Sequence, residues 1–151
     1  MLRVLMVAAL ALSPMGAAYG QGLSNAYVFG EADDSDNTSC RAEHRSAVAS
    51  VEAALRYNGI KISDDTANTT VYVNLAAVQL SSGICAIALE LRFTEYAFLS
   101  NLTVVQPQVM NVLLCNKHGV LTGSPTGIQS RVNDMLRDAV DRCISEIEKG
   151  N

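Results

Sequence analysis

Cys85-Ala86-Ile87-Ala88-Leu89-Glu90-Leu91-Arg92-Phe93-Thr94 alternates without a break. Cys85, Ile87, Leu89, Leu91 and Phe93 share one parity; Ala88, Glu90, Arg92 and Thr94 share the other. Successive side chains of a strand point to opposite faces, so the first set lies against a core and the second faces water. Working outward, Val71, Val73 and Leu75 alternate with Tyr72 and Asn74, and the run from Thr69 to Leu80 closes at Ser81-Ser82-Gly83, a hairpin turn signal. On the other side, Ser100-Asn101 marks a turn. Val104 to Asn116 predicts a third long strand, with Pro107 placing it at an edge or at a strand start because proline cannot donate to a ladder. His118 to Gly123 reads as a loop or a further short strand.

Helical periodicity flanks this β region. Over 40–57, Ala47, Val48, Val51, Ala54 and Leu55 recur at three- and four-residue steps. Thr38 or Ser39 is the expected cap and Asn58-Gly59 the stop. Ile60 and Ile62 continue as a short extended piece. Ser124-Pro125 opens a second helix, with Ser as cap and Pro in the first turn. Its apolar stripe is Ile128, Val132, Met135, Leu136, Ala139, Cys143 and Ile147, and the spacing predicts ion pairs Arg137–Asp141 and Asp138–Arg142. The expected fold is α+β: a two-layer sandwich with an antiparallel meander of three to four strands, both helices packed on one face.

The first twenty residues carry a different signal. Arg3 precedes the apolar run Val4–Leu12. Pro14 and Gly16 then break the helix, and Ala18-Tyr19-Gly20 supplies small residues before Gln21. Residues 1–20 therefore read as a secretory signal peptide. The apolar run is far short of the roughly 20 residues that span a bilayer, so no membrane span is expected once the signal is removed. Residues 21–39 carry Glu31, Asp33, Asp34 and Asp36 and read as an acidic flexible arm, with Tyr27-Val28-Phe29 as at most a short edge strand. Residues 40–151 then form a single disulfide-braced α+β domain, secreted or periplasmic.

Loss of Arg3 with the signal leaves ten basic and fifteen acidic side chains, a net charge of −5. An acidic chain with no basic run suits neither nucleic acid nor an anionic membrane surface. The absence of Trp argues against a base- or sugar-stacking platform. Cys40, Cys85, Cys115 and Cys143 show no C-x-x-C spacing, so structural disulfides are expected rather than redox or zinc chemistry. A hairpin about residue 100 would set Cys85 opposite about 116, and antiparallel helices would bring Cys40 to Cys143. The favoured pairing is thus Cys85–Cys115 with Cys40–Cys143. The alternative joins each helix cysteine to one strand cysteine.

Candidate chemistry is sparse. Glu43, His44 and His118 could serve a small hydrolase or metal-dependent enzyme only if they converge. Asp33-Asp34-Ser35-Asp36-Asn37 lacks the glycine and glutamate of a calcium loop. No catalytic residue, metal or cofactor is assigned. The reading preferred from sequence is an exported, non-enzymatic interaction module that binds an unidentified envelope or secreted protein, or a second copy of itself. An inhibitor or immunity-type protein is the alternative. The expected contact residues are Tyr72, Ala86, Ala88, Tyr96, Phe98 and Leu99, apolar positions on the second sheet face and near the hairpin tip.

Overall fold

The computed structural model describes residues 23–32, 39–64, 69–80, 83–99 and 108–150. The proposed signal segment, the acidic cluster 33–37 and the turn at Ser100-Asn101 lie outside the described residues. In chain order the elements are β1 (Asn25–Ala32), α1 (His44–Tyr57), β2 (Lys61–Ile62), β3 (Thr69–Gln79), β4 (Cys85–Leu99), β5 (Gln108–Gly123) and α2 (Ile128–Gly150). One sheet holds all five strands in the order β2-β1-β3-β4-β5.

The α+β class and the two helices agree with expectation; the purely antiparallel meander does not. β1 pairs in parallel with both β2 and β3, while β3–β4 and β4–β5 are antiparallel. The reason lies in residues 21–39. They contribute an eight-residue strand inside the sheet rather than only an arm, and α1 is the crossover that a parallel β1–β3 pair requires.

Each strand turns one parity toward the helices. Ala26 and Val28, Val71, Val73, Leu75 and Ala77, and the full set Cys85, Ile87, Leu89, Leu91 and Phe93 are buried. They meet Ala47, Val51, Ala54 and Leu55 of α1 and Ile128, Val132, Leu136, Val140, Cys143 and Ile144 of α2 in one core. Burying a side chain such as Phe93 or Leu55 contributes about 1.5–3 kcal/mol. In α2 the stripe is shifted slightly from expectation: Val140 and Ile144 are buried, while Met135, Ala139 and Ile147 are partly buried at its rim.

Local chemistry explains several boundaries. α1 begins at His44, not 40, because Arg41 takes the left-handed conformation (φ 53°) and interrupts the turn before it. Thr38, one of the two expected caps, lies outside the described residues; the N-cap position falls to Glu43, whose side chain makes no cap bond and whose N–H donates to Gln129 Oε1 of α2. Asn58 and Gly59 do end α1, with Gly59 at φ +78°. Ser124 to Gly127 form a turn before α2, closed by the Gly127 N–H donating to the Ser124 carbonyl at 3.2 Å. Asp138–Arg142 forms at 2.7 Å, but Arg137 pairs with Asp134 at 3.9 Å rather than with Asp141. Asp141 is taken by the Asn58 amide at 2.8 Å.

The two disulfides are Cys40–Cys85 and Cys115–Cys143. The favoured pairing is thus overturned, for two physical reasons. β5 runs on to Gly123, so Cys85 faces Gly123 and Cys115 faces Phe93. Cys85 and Phe93 are eight residues apart along β4, or roughly 27 Å at 3.4 Å per residue. The helices also run parallel: Glu43 meets Gln129, Ser46 meets Asn133 and Asn58 meets Asp141. That direction carries Cys40 and Cys143 to opposite ends. Each helix-side cysteine therefore takes a strand cysteine, the alternative the spacing left open.

Candidate functional site

The helices cover one face of the sheet. The opposite face carries Tyr27, Phe29 and Glu31 from β1, Thr70, Tyr72, Asn74 and Ala76 from β3, and Ala86, Ala88, Glu90, Arg92 and Thr94 from β4. The parallel register sets Phe29 beside Tyr72, and the antiparallel register sets Tyr72 beside Arg92. Phe29 and Tyr72 have ring centroids 5.0 Å apart at 47°, and Tyr27 stacks on Phe29 at 6.0 Å. The Arg92 guanidinium lies 5.8 Å from the Tyr72 centroid, within cation–π range.

Two carboxylates hold this cluster in place. The Tyr72 hydroxyl donates to Glu31 Oε2 at 3.0 Å, and Arg92 pairs with Glu90. Burial raises the Tyr72 phenol above its ordinary value, helped by the hydrogen bond and charge of Glu31 and the charge of Glu90; Arg92 opposes the shift. The phenol therefore remains a protonated donor at neutral pH.

Further along, small residues replace aromatics. Ala76 pairs with Ala88, Val78 with Ala86 and Ala88 with Val120. Val78 and Val120 are exposed beside them. Beyond Glu95, where β3 begins at Thr69, the sheet narrows to a two-stranded ribbon of β4 and β5. Leu114 is an extra residue in β5 shortly before this ribbon, since Phe93 faces Cys115 and Thr94 faces Leu113. Tyr96, Val109 and Met110 are exposed on it, and Val112 and Leu113 are exposed on β5 just before it.

Tyr72, Ala86 and Ala88 thus lie on the helix-free face and Tyr96 on the ribbon. Phe98 and Leu99 continue β4, but their side chains lie outside the described residues. Sequence reading missed Phe29 and Arg92 as partners of Tyr72. Tyr27 and Phe29 do alternate with Ala26 and Val28, a signal masked by the acids that follow. It also missed Val109, Met110, Val112 and Leu113, apolar on both parities and exposed among the described residues.

Glu43, His44 and His118 are not brought together. His44 sits on the helix side over Gly30, where an added Cβ would collide with the imidazole. His118 stands opposite Glu90 on β5, three strand spacings away and on the other face. His44 Nε2 is buried with no hydrogen-bond partner among the described residues. Among those residues no three His, Cys, Asp or Glu side chains gather to hold a metal, and no helix is long and apolar enough to cross a membrane. A small cleft of about 90 Å³ lies between α2 and the sheet, lined by Leu89, Leu91, Gly119 and Met135 with Lys117 and Arg142 at its rim. Both cations are occupied, Lys117 by Glu146 and Arg142 by Asp138.

No family and no curated protein matches the sequence. Among solved structures, the chain is similar to a PelC dodecamer from Paraburkholderia phytofirmans, at 14% identity and a TM-score of 0.44, covering 84% of this chain and 87% of that one. It is also similar to a minor lipoprotein from Acinetobacter baumannii, at 10% identity and a TM-score of 0.28, covering 84% and 91%. Both likenesses are too distant to carry a role across.

Proposed function

We propose that this protein is an exported, non-enzymatic interaction module that binds another envelope or secreted protein through its helix-free sheet face. The observation that carries the reading is the Tyr27–Phe29–Tyr72–Arg92 cluster on that face. Tyr, Phe and Arg are the residue types enriched where partners bind most strongly. An exposed face alone would be unremarkable in an antiparallel sheet, but such a face is ordinarily polar. Here the rings are already fixed by stacking and by the Tyr72–Glu31 hydrogen bond, so less side-chain freedom is lost on docking. Two disulfides fit an oxidising compartment and support the export signal read at 1–20.

The test compares the wild-type chain with Tyr72→Ala and Arg92→Ala as bait in an envelope extract. Both substitutions are on the partly exposed face, so the fold survives, as circular dichroism and intact disulfides should confirm. The expected result is a specific protein captured by the wild type and lost with each variant. Equal capture by all three baits, or no capture after in-cell crosslinking, refutes the reading.

A further inference from the structure

The two edges of the sheet are built differently. The β2 edge is two residues long and carries the exposed Lys61, both common protections against unwanted pairing. The β5 edge is sixteen residues long. Among the described residues β5 has a strand neighbour on one side only. At its far end Arg131 donates to the Thr122 carbonyl and occupies the edge there. From Val109 to Leu113 no comparable contact occurs among the described residues, and the stretch holds no charge and no proline.

We propose that this edge pairs antiparallel with the β5 edge of a second copy of the chain, about a two-fold axis at Asn111. The sequence Val109-Met110-Asn111-Val112-Leu113 has a mirror pattern of apolar residues about its centre. Antiparallel pairing on that axis sets Val109 against Leu113 of the second copy, Met110 against Val112, and Asn111 against Asn111. Val109, Asn111 and Leu113 face partners of β4 on the helix-free side, and Met110 and Val112 on the other. Both apolar pairs therefore stay on matching faces, as alternation demands. These four aliphatic residues are 55%, 47%, 37% and 54% exposed in chain order, so each has area to lose.

Charge favours a second copy over an unrelated partner. A two-fold contact pairs the strip with a copy of itself, so any charge in it is duplicated across a short distance unless the strip is neutral. β5 contains no acid in a chain with fifteen, and its lysine is tied to Glu146. Edge-to-edge pairing makes a continuous ten-stranded sheet and leaves the Tyr72–Arg92 cluster free. The proposal is thus separate from the partner surface above and can fail alone. The ribbon is small beside interfaces of roughly 1,200–2,000 Å², so a weak dimer is expected.

Sedimentation equilibrium of the full, disulfide-bonded chain tests this. A concentration-dependent dimer by about 100 µM is the expected result. Val112→Lys sets a lysine in the strip and raises the dimer dissociation constant by roughly 10-fold, while Tyr72→Ala leaves it unchanged. A chain monomeric at that concentration, or a dimer indifferent to Val112→Lys, overturns the proposal. So does a dimer lost with Tyr72→Ala alone. Should Val112→Lys fail to fold, oxidative crosslinking still decides. Asn111→Cys meets its own copy at the Cα separation a disulfide needs, whereas Val120→Cys on the same strand does not. Covalent dimer from position 111 and none from 120 supports the register; equal yields, or none from 111, refute it.

Discussion

Removing cysteines in chosen pairs separates the two connectivities by stability and by thiol count together. Cys40–Cys85 closes 45 residues and Cys115–Cys143 closes 28, and the two loops do not overlap. Restriction of the unfolded chain makes these bridges worth about 4.0 and about 3.6 kcal/mol respectively. Total stability for a domain of this size is about 5–15 kcal/mol, so each bridge is a large share. The double variant Cys40→Ala/Cys85→Ala keeps the second bridge intact and leaves no free thiol. Its urea midpoint should fall by roughly 2.7 M at a slope near 1.5 kcal/mol/M. Cys115→Ala/Cys143→Ala should fall slightly less. Cys40→Ala/Cys143→Ala behaves differently, because it strands Cys85 and Cys115 at sheet positions roughly 27 Å apart. It should show two free thiols by Ellman titration and lose both contributions, about 7.6 kcal/mol, which leaves little or no folded protein at 37 °C. A folded Cys40→Ala/Cys143→Ala variant with no free thiol would refute the connectivity and the parallel helix arrangement behind it.

Gly30→Ala should cost about 1–3 kcal/mol in urea unfolding, since its Cβ collides with the His44 imidazole and comes within 2.8 Å of the Val73 carbonyl. Pairing it with His44→Ala should recover part of that loss but not all, because the backbone contact remains. Phe93→Ala, at a fully buried position, should cost about 3–5 kcal/mol by the same measurement. Tyr72 gives a pH prediction. Its phenol is raised in the folded state, so the fold holds that proton more tightly than the unfolded chain does. The associated stability is complete below the ordinary tyrosine value near 10 and is lost as pH rises through the folded value. Wild-type protein should therefore lose stability above pH 10 more steeply than Tyr72→Phe, and tyrosinate absorbance should show one group fewer titrating late in that variant.

What was legible in the sequence were features whose two sides differ in polarity. β4 alternates cleanly because one side meets the core and the other meets water, and all five expected core residues are buried. α2 is legible for the same reason at helical period. β1 is harder to read. Ala26 and Val28 give its face, but its neighbours are fixed by backbone hydrogen bonds, which leave no trace in side-chain pattern. Nothing in Asn25 to Ala32 says that it lies between β2 and β3 in parallel. The aromatic cluster was hidden with it, since Phe29 meets Tyr72 only once that register exists. His44 shows the converse: it reads as a surface histidine among charged neighbours, yet its Nε2 is buried because Gly30 leaves room for the ring.

The cysteine pairing turned on strand parity, a quantity the sequence left open. Each helix returns against the strand before it, so α1 opposes β1 and α2 opposes β5. β1 and β3 are parallel, and two successive reversals bring β5 back to the direction of β3. Three long strands between the helices therefore make the helices parallel; four would have made them antiparallel. A meander of three to four strands spans both outcomes, and they demand different disulfides. Parallel helices carry Cys40 and Cys143 to opposite ends of the core, where each finds the strand cysteine at its own end. The same parity leaves β5, and not a returning fourth strand, as the outer edge. One topological fact thus sets both the covalent framework and the place of the strip from Val109 to Leu113 on the outermost of the described strands.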